Sequence, residues 1–177
     1  MLNIKNQIKN KIKYIAVLNI LFVCILDQLS KYCAVNNLDY NMGKNIFNIV
    51  TEKFHFGANL FLTYNYGTAF SIIKSASSFA AAGLIICPIA ISLALSYWLY
   101  IENIQNKLSI LAISLVIGGA LGNVYDRLFL GYVVDFIDVY AGKHHWPVFN
   151  LADSAISIGA IILAVVLLFN KNTPFDS

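Results

Sequence analysis

Four long apolar runs divide the chain: Tyr14 to Cys33, Ala76 to Tyr100, Leu108 to about Leu128, and Leu151 to Phe169. Each is close to the roughly 20 residues that cross the hydrocarbon of a bilayer as a helix. The pattern therefore predicts four transmembrane helices, over about 14–34, 76–100, 108–128 and 151–169. Between the first two runs the period changes. Phe54, Phe56, Ala58, Leu60, Leu62, Tyr64 and Tyr66 alternate with His55, Gly57, Asn59, Phe61, Thr63 and Asn65. A period of two with this many aromatic side chains predicts β-strands within about 44–70, with one apolar face against the bundle or the lipid headgroups. Gly118-x-x-x-Gly122 in the third run lets helices approach closely, a packing role. The expected fold is an all-α four-helix transmembrane bundle with a small extracytoplasmic β-cradle, forming one integral membrane domain over 1–177.

Composition agrees. Of 177 residues, 59% are hydrophobic and only 12% charged, about half the charged share of an ordinary globular protein. A free cytosolic enzyme or a nucleic-acid binder is excluded, because such a chain needs far more polar surface. The net charge of +3 is concentrated in Lys5, Lys9, Lys11 and Lys13, with no acid among them. By the positive-inside rule the amino terminus is cytoplasmic, and four spans return the carboxyl terminus to the same side. Lys107 and Lys171 agree, whereas Lys44, Lys53, Lys74 and Lys143 in the outer segments do not; the dense tail decides. No small-x-small cleavage site follows the first run promptly, so it reads as an uncleaved span. Cys24, Cys33 and Cys87 form no disulfide framework or metal-ligand spacing and read as small apolar side chains.

Charged groups inside or at the ends of spans are functional candidates because lipid makes them costly. Asp27 lies within the first run, and Lys31 one turn later on the same face, either as a local ion pair with the lysine snorkelling outward or as part of a site. Asn123, Asp126 and Arg127 share one face near the outer end of the third run, where an Asp126–Arg127 pair is the simplest structural explanation. Asp135 sits among apolar neighbours in Gly131-Tyr-Val-Val-Asp135-Phe136. Asn150 and Asp153 open the fourth run as N-cap and first-turn acid, an arrangement that suits a helix start without any further role.

Topology places Asp135 and Asp153 on the same outer side, where they can meet. Two carboxyls in a partly apolar site cannot both ionise cheaply, so one keeps its proton and a water between them gains both a base and an acid. That is aspartic protease chemistry. Other schemes lack parts: there is no His-Glu-x-x-His, no Gly-x-Ser-x-Gly, and no histidine in any span. Ser30 and Lys31 are adjacent rather than spaced to face each other, and His144 and His145 with Asp138 make a poor metal set. The competing class is a small proton-relay or transporter subunit using Asp27, Asp126, Asp135 and Asp153, but a relay needs acids at mid-membrane or on both sides.

Five blocks carry a resemblance. They are Asp27-Gln-Leu-Ser-Lys31, Asn65-Tyr-Gly67-Thr-Ala-Phe70, Gly118-Gly-Ala-Leu-Gly-Asn123-Val-Tyr-Asp126-Arg127, Gly131-Tyr-Val-Val-Asp135-Phe136, and Phe149-Asn150-Leu-Ala152-Asp153-Ser154. In this order they resemble the prolipoprotein signal peptidases, the type II signal peptidases of bacteria. The resemblance implies an aspartyl endopeptidase of the inner membrane, active at its outer face, without a cofactor or metal. It would cut signal peptides just before a cysteine that already carries diacylglycerol. Its partners would be diacylated prolipoproteins and membrane lipids, with the enzyme a monomer. Asp135 and Asp153 would be the catalytic pair, with Asp27, Lys31, Asn65, Gly67, Asn123, Asp126, Arg127, Asn150 and Ala152 binding substrate or supporting them.

Overall fold

The computed structural model describes residues 2–51, 54–67, 78–101 and 106–169. Four helices are long and apolar enough to cross a membrane, over Ile12–Asn37, Ala81–Ile101, Lys107–Phe129 and Leu151–Phe169. The first lies within a longer helix, α1 (Leu2–Asn37); the others belong to α2 (Ser78–Ile101), α3 (Lys107–Phe129) and α4 (Leu151–Phe169). Strands β1 (Gly43–Val50), β2 (His55–Asn65), β3 (Val133–Ala141) and the two-residue β4 (His144–His145) form one antiparallel sheet in that order.

The helix ends follow from short polar side chains. The amides of Asn36 and Asn37 donate back to the carbonyls of Tyr32 and Cys33 at 2.7 and 2.8 Å, which satisfies orphan acceptors where α1 stops. Asn106 caps α3, its side chain accepting from the Leu108 N–H at 2.9 Å. Within α2, Pro88 supplies no N–H, and Ser92 donates to its carbonyl at 2.7 Å.

Helix α3 is the axis of the bundle, largely buried, while the other three expose apolar side chains such as Phe22 and Leu168 on their outer surfaces. Small residues make this possible. A Cβ on Gly118 would lie 2.7 Å from the Val23 Cβ of α1, and one on Gly122 would lie 2.5 Å from the Asp27 carboxylate. The Gly118-x-x-x-Gly122 pattern is thus a close contact with α1, and at Gly122 the missing side chain makes room for a charge.

At one end of the bundle Ala16, Ile110, Ile113 and Ile117 form an apolar core; at the other, Ala34 of α1 packs with Leu62, Val134 and Phe136 of the sheet. The second core seats the sheet on the helix ends. The simple alternation read from the sequence is broken by an irregularity between Leu60 and Thr63, where β2 uses three steps for two of β3. The bulge shifts the register, so that Thr63 stands opposite Asp135 and Asn65 opposite Val133, while Leu62 stays in the buried core with Leu60 and Tyr64 packed against it. Of the outer segment expected over 44–70, Glu52, Lys53 and Thr68 to Phe70 lie outside the described residues.

Candidate active site

Two clusters of acids stand at the end of the bundle under the sheet. The first is built on Lys31, only 3% exposed. Its ammonium contacts Asp27 Oδ2 at 2.7 Å and Asp126 Oδ2 at 2.9 Å, and donates to Asn123 Oδ1 at 3.0 Å. A lone buried charge is costly, and here one cation serves two carboxylates. Both carboxylates also bind backbone N–H groups of a helix start or a strand. Asp27 Oδ1 accepts the Ala152 N–H at 3.0 Å, one of the donors left free at the start of α4. Asp126 Oδ2 accepts the Val134 N–H of β3 at 3.2 Å. Gln28 donates to Asp126 Oδ1 at 2.9 Å, and also reaches Asp27 and the Gly122 carbonyl. The cluster joins α1, α3, α4 and β3.

The second cluster holds Asp135, on β3, and Asp153, in the first turn of α4. Asp135 is 1% exposed. Its Oδ2 accepts from the Asn65 amide at 2.9 Å and its Oδ1 from the Asn150 amide at 2.7 Å. Asp153 Oδ1 accepts from the Asn123 amide at 2.8 Å, and its Oδ2 from the backbone N–H of Asn150 at 3.3 Å. Asn150 Oδ1 in turn accepts the Asp153 N–H at 2.9 Å, a reciprocal cap. Asn150, with no exposed surface, therefore touches both acids. Among the described residues neither carboxylate has an ion-pair partner.

Burial pushes the Asp135 carboxyl up to about 6, and repulsion from Asp153 adds to it; the Asn65 and Asn150 hydrogen bonds and the charge of Lys31 act the other way. A carboxyl in that range can give and take a proton near neutral pH. Beside a second acid and its amide donors, it can activate a water and protonate an oxygen or nitrogen.

Comparison with known proteins places this arrangement. A family model described as Signal peptidase (SPase) II matches residues 19–169. The chain belongs to the signal peptidase II family. It is 38% identical over 167 residues to the lipoprotein signal peptidase of Francisella tularensis subsp. novicida (strain U112), covering 94% of this chain and 98% of that one. It is 36% identical over 146 residues to that of Alteromonas mediterranea, covering 82% and 76%. Two bacterial membrane enzymes solved by the in meso method are similar in structure. The one at 1.9 Å resolution has a TM-score of 0.71 and 35% identity over 89% of this chain and 94% of its own. The one at 2.3 Å has a TM-score of 0.70 and 33% identity over 89% and 92%.

Membership of the signal peptidase II family makes the chain a membrane-spanning peptidase and removes the relay or transporter reading. The residues named from the sequence divide between the two clusters, with Asn123 accepting from Lys31 and donating to Asp153. Gly67 adopts a positive φ of 89° after β2, and its N–H donates to Asn65 Oδ1 at 2.8 Å, fixing the amide that faces Asp135. The Asp27–Lys31 ion pair forms, but the surroundings of Lys31 and the partner of Asp126 differ from expectation. Lys31 does not snorkel; it turns into the protein because Asp126 waits there. Asp126 is therefore paired with Lys31 and not with Arg127. The arginine donates to the Asn123 carbonyl at 3.3 Å, and its buried Nε has no hydrogen-bond partner among the described residues. Ser30 donates to the Asp27 carbonyl at 2.7 Å, which takes its hydroxyl away from Lys31. His145 and Asp138 do meet, Nδ1 to Oδ1 at 2.7 Å, and no group of three or more His, Cys, Asp or Glu suited to a metal occurs among the described residues.

Sequence reasoning passed over Gln28. It is a polar side chain deep in an apolar run beside Asp27, and that position was the available signal.

Proposed function

We propose that this signal peptidase II chain is an aspartic endopeptidase in which Asp135 and Asp153 form the catalytic pair. It removes signal peptides from prolipoproteins whose cysteine carries diacylglycerol. The observation that carries the reading is the bridge made by Asn150, which joins the buried Asp135 and the half-buried Asp153 from different elements, neither of them in an ion pair among the described residues. Asp27, Lys31, Gln28 and Asp126 brace the elements that present the pair. Asn65, Asn123 and Asn150 orient it, with Gly67 and Ala152 fixing the backbone around it.

In this reading the ionised aspartate takes a proton from a water as its oxygen attacks the scissile carbonyl carbon. The protonated aspartate gives its proton to the carbonyl oxygen, forming a tetrahedral intermediate. As the C–N bond breaks, the first aspartate passes its proton to the cysteine nitrogen and the second recovers one from the intermediate's hydroxyl. Both acids regain their starting states. The enzyme works as a monomeric, single-domain protein of the bacterial inner membrane, with both termini cytoplasmic and the pair at the outer face beside the lipids. Impermeant thiol reagents should then label cysteines placed at Lys44 or Lys143 in sealed cells, and not at Lys107.

The test is cleavage by purified protein of a diacylated precursor and its unlipidated form, with and without EDTA. The proposal predicts lipid-dependent cleavage that survives EDTA and is lost in Asp135→Asn or Asp153→Asn. Full turnover in either variant would overturn it.

A further inference from the structure

The return from β3 to α4 carries a second polar chain, remote from the aspartates. Asn45 donates to Asn59 Oδ1 at 2.9 Å, Asn59 donates to Asp138 Oδ2 at 2.8 Å, and His145 Nδ1 meets Asp138 Oδ1 at 2.7 Å. One residue from each of the four strands takes part, and Asp138 is buried. The imidazole also stacks on Tyr140 of β3, with centroids 5.0 Å apart, and the far side of Tyr140 meets His55 edge-on at 5.5 Å.

This chain sits where backbone pairing is weakest. Strand β4 has only two pairs with β3, Tyr140 with His145 and Ala141 with His144. Beyond it the Trp146 N–H bonds the Val139 carbonyl at 2.9 Å, and pairing resumes only at Phe149, which exchanges bonds with Ile137 at 2.8 and 3.0 Å. Pro147, between them, has no N–H to offer. A groove of about 630 Å³, lined in part by Phe61, Asp138, His145, Trp146 and Val148, leaves this stretch room to shift. The next residue after Phe149 is Asn150, the bridge between the acids.

We infer that His145 and Asp138 are positioning residues for the cleavage reaction: their contact clamps the return segment on β3 and thereby sets where Asn150 stands against Asp135 and Asp153. The inference rests on the aspartate pair being the catalytic unit. Asp135 is faced by Asp153 from α4, Lys31 from α1 and Arg127 from α3, with the amides of Asn65 and Asn150 on its oxygens. The Asn150 hydrogen bond favours the ionised form of Asp135. Loosening it makes Asp135 harder to ionise, so the acidic limb of the pH–rate profile moves to higher pH.

The experiment is the pH–rate profile of intact, purified protein on a diacylated precursor, for wild type, His145→Ala, His145→Asn and the control Asp135→Asn. His145→Ala should lower kcat about 10-fold, less than the hundredfold that a full ångström of misplacement can cost, leave KM within about twofold, and move the acidic limb upward. His145→Asn, which keeps an N–H for Asp138, should recover most of kcat and return the limb. Should His145→Ala fail to insert, His145→Phe keeps the ring on Tyr140 and removes only the hydrogen bond, and the same loss is expected. A dead Asp135→Asn with wild-type kcat and limb in His145→Ala or His145→Phe overturns the clamp alone. An active Asp135→Asn overturns the reading of the site, and the clamp with it.

Discussion

Asp27 and Asp126 on one side, and Asp135 and Asp153 on the other, are pairs of aspartates at the same end of one small bundle, with Asn123 hydrogen-bonded into both. Their partners differ. The first pair shares the Lys31 ammonium, at 2.7 and 2.9 Å, and also binds backbone N–H groups, Asp27 that of Ala152 in α4 through its other oxygen and Asp126 that of Val134 in β3 through the oxygen that meets Lys31. The second pair accepts its hydrogen bonds from side-chain amides and a backbone N–H, and neither acid is in an ion pair among the described residues. A carboxylate bound to a cation and to backbone N–H groups of other elements serves as a brace. A carboxylate matched by neutral donors beside a second acid is left free to exchange a proton. The proposed cleavage needs both, because two neighbouring carboxyls stay together only if the surrounding elements are fixed by something stronger.

The largest expected effect separates the pairs by activity. Asp135→Asn and Asp153→Asn should each lower cleavage by at least the 100- to 10,000-fold range of a general acid or base. The double variant should be no worse than either single, since members of one unit are not additive. All three should still fold, because Asn keeps the size of Asp and one of its two acceptor oxygens. Additive losses in single-turnover assays would show two independent roles.

The braced pair should break by stability instead. Lys31→Met strands two buried carboxylates and should cost about 3 to 5 kcal/mol in denaturation in micelles, with loss of folded yield. Arg127→Ala strands neither, and should cost no more than about 1 kcal/mol, the worth of one ordinary hydrogen bond. Equal losses would mean that the arginine shares the bracing role.

Asp135→Asn should also be more stable than wild type, and only at higher pH. Its folded-state value near 6 lies above that of the unfolded chain, so the native protein holds that proton more tightly. The corresponding stability is complete below the ordinary carboxylate range and is lost as pH rises through about 6. At pH 8 the variant should gain up to about 3 kcal/mol, by the conversion of 1.36 kcal/mol per unit. Near pH 4 the difference should vanish. A pH-independent difference would contradict the burial cost assigned to this carboxyl.

The smallest effect concerns Gln28, whose amide bonds Asp126 at 2.9 Å. Gln28→Leu should lower stability by about 1 to 2 kcal/mol with turnover nearly unchanged in the folded fraction. A selective loss of turnover would move Gln28 from the brace to the reacting pair.

Much of this division was legible in the sequence, and the exceptions have physical causes. The four spans follow from run length, and Asn150 with Asp153 reads as a helix start from residue type alone. That Asp153 is at once a cap and a neighbour of Asp135 needs only the topology that returns β3 to α4. The Lys31–Asp126 pair could not be read from local spacing: the partners lie on different helices, and Arg127, next to Asp126 in sequence, was the nearer candidate. The bulge that turns Thr63 opposite Asp135 leaves no mark in an alternating aromatic pattern. His145 and Asp138 drew notice as possible metal ligands, whereas their role depends on a sheet edge that only the folded chain reveals.

On the proposed reading Asp135 and Asp153, held by amides, act as one unit. Isotope-edited infrared titration of the aspartate carboxyl band in the folded protein tests it most directly. A protonated carboxyl with a midpoint of about 6 is expected, absent in Asp135→Asn and displaced to lower pH in Asp153→Asn, where the neighbouring charge is gone. An Asp135 band in the ordinary carboxylate range, or one that does not respond to Asp153→Asn, would contradict it.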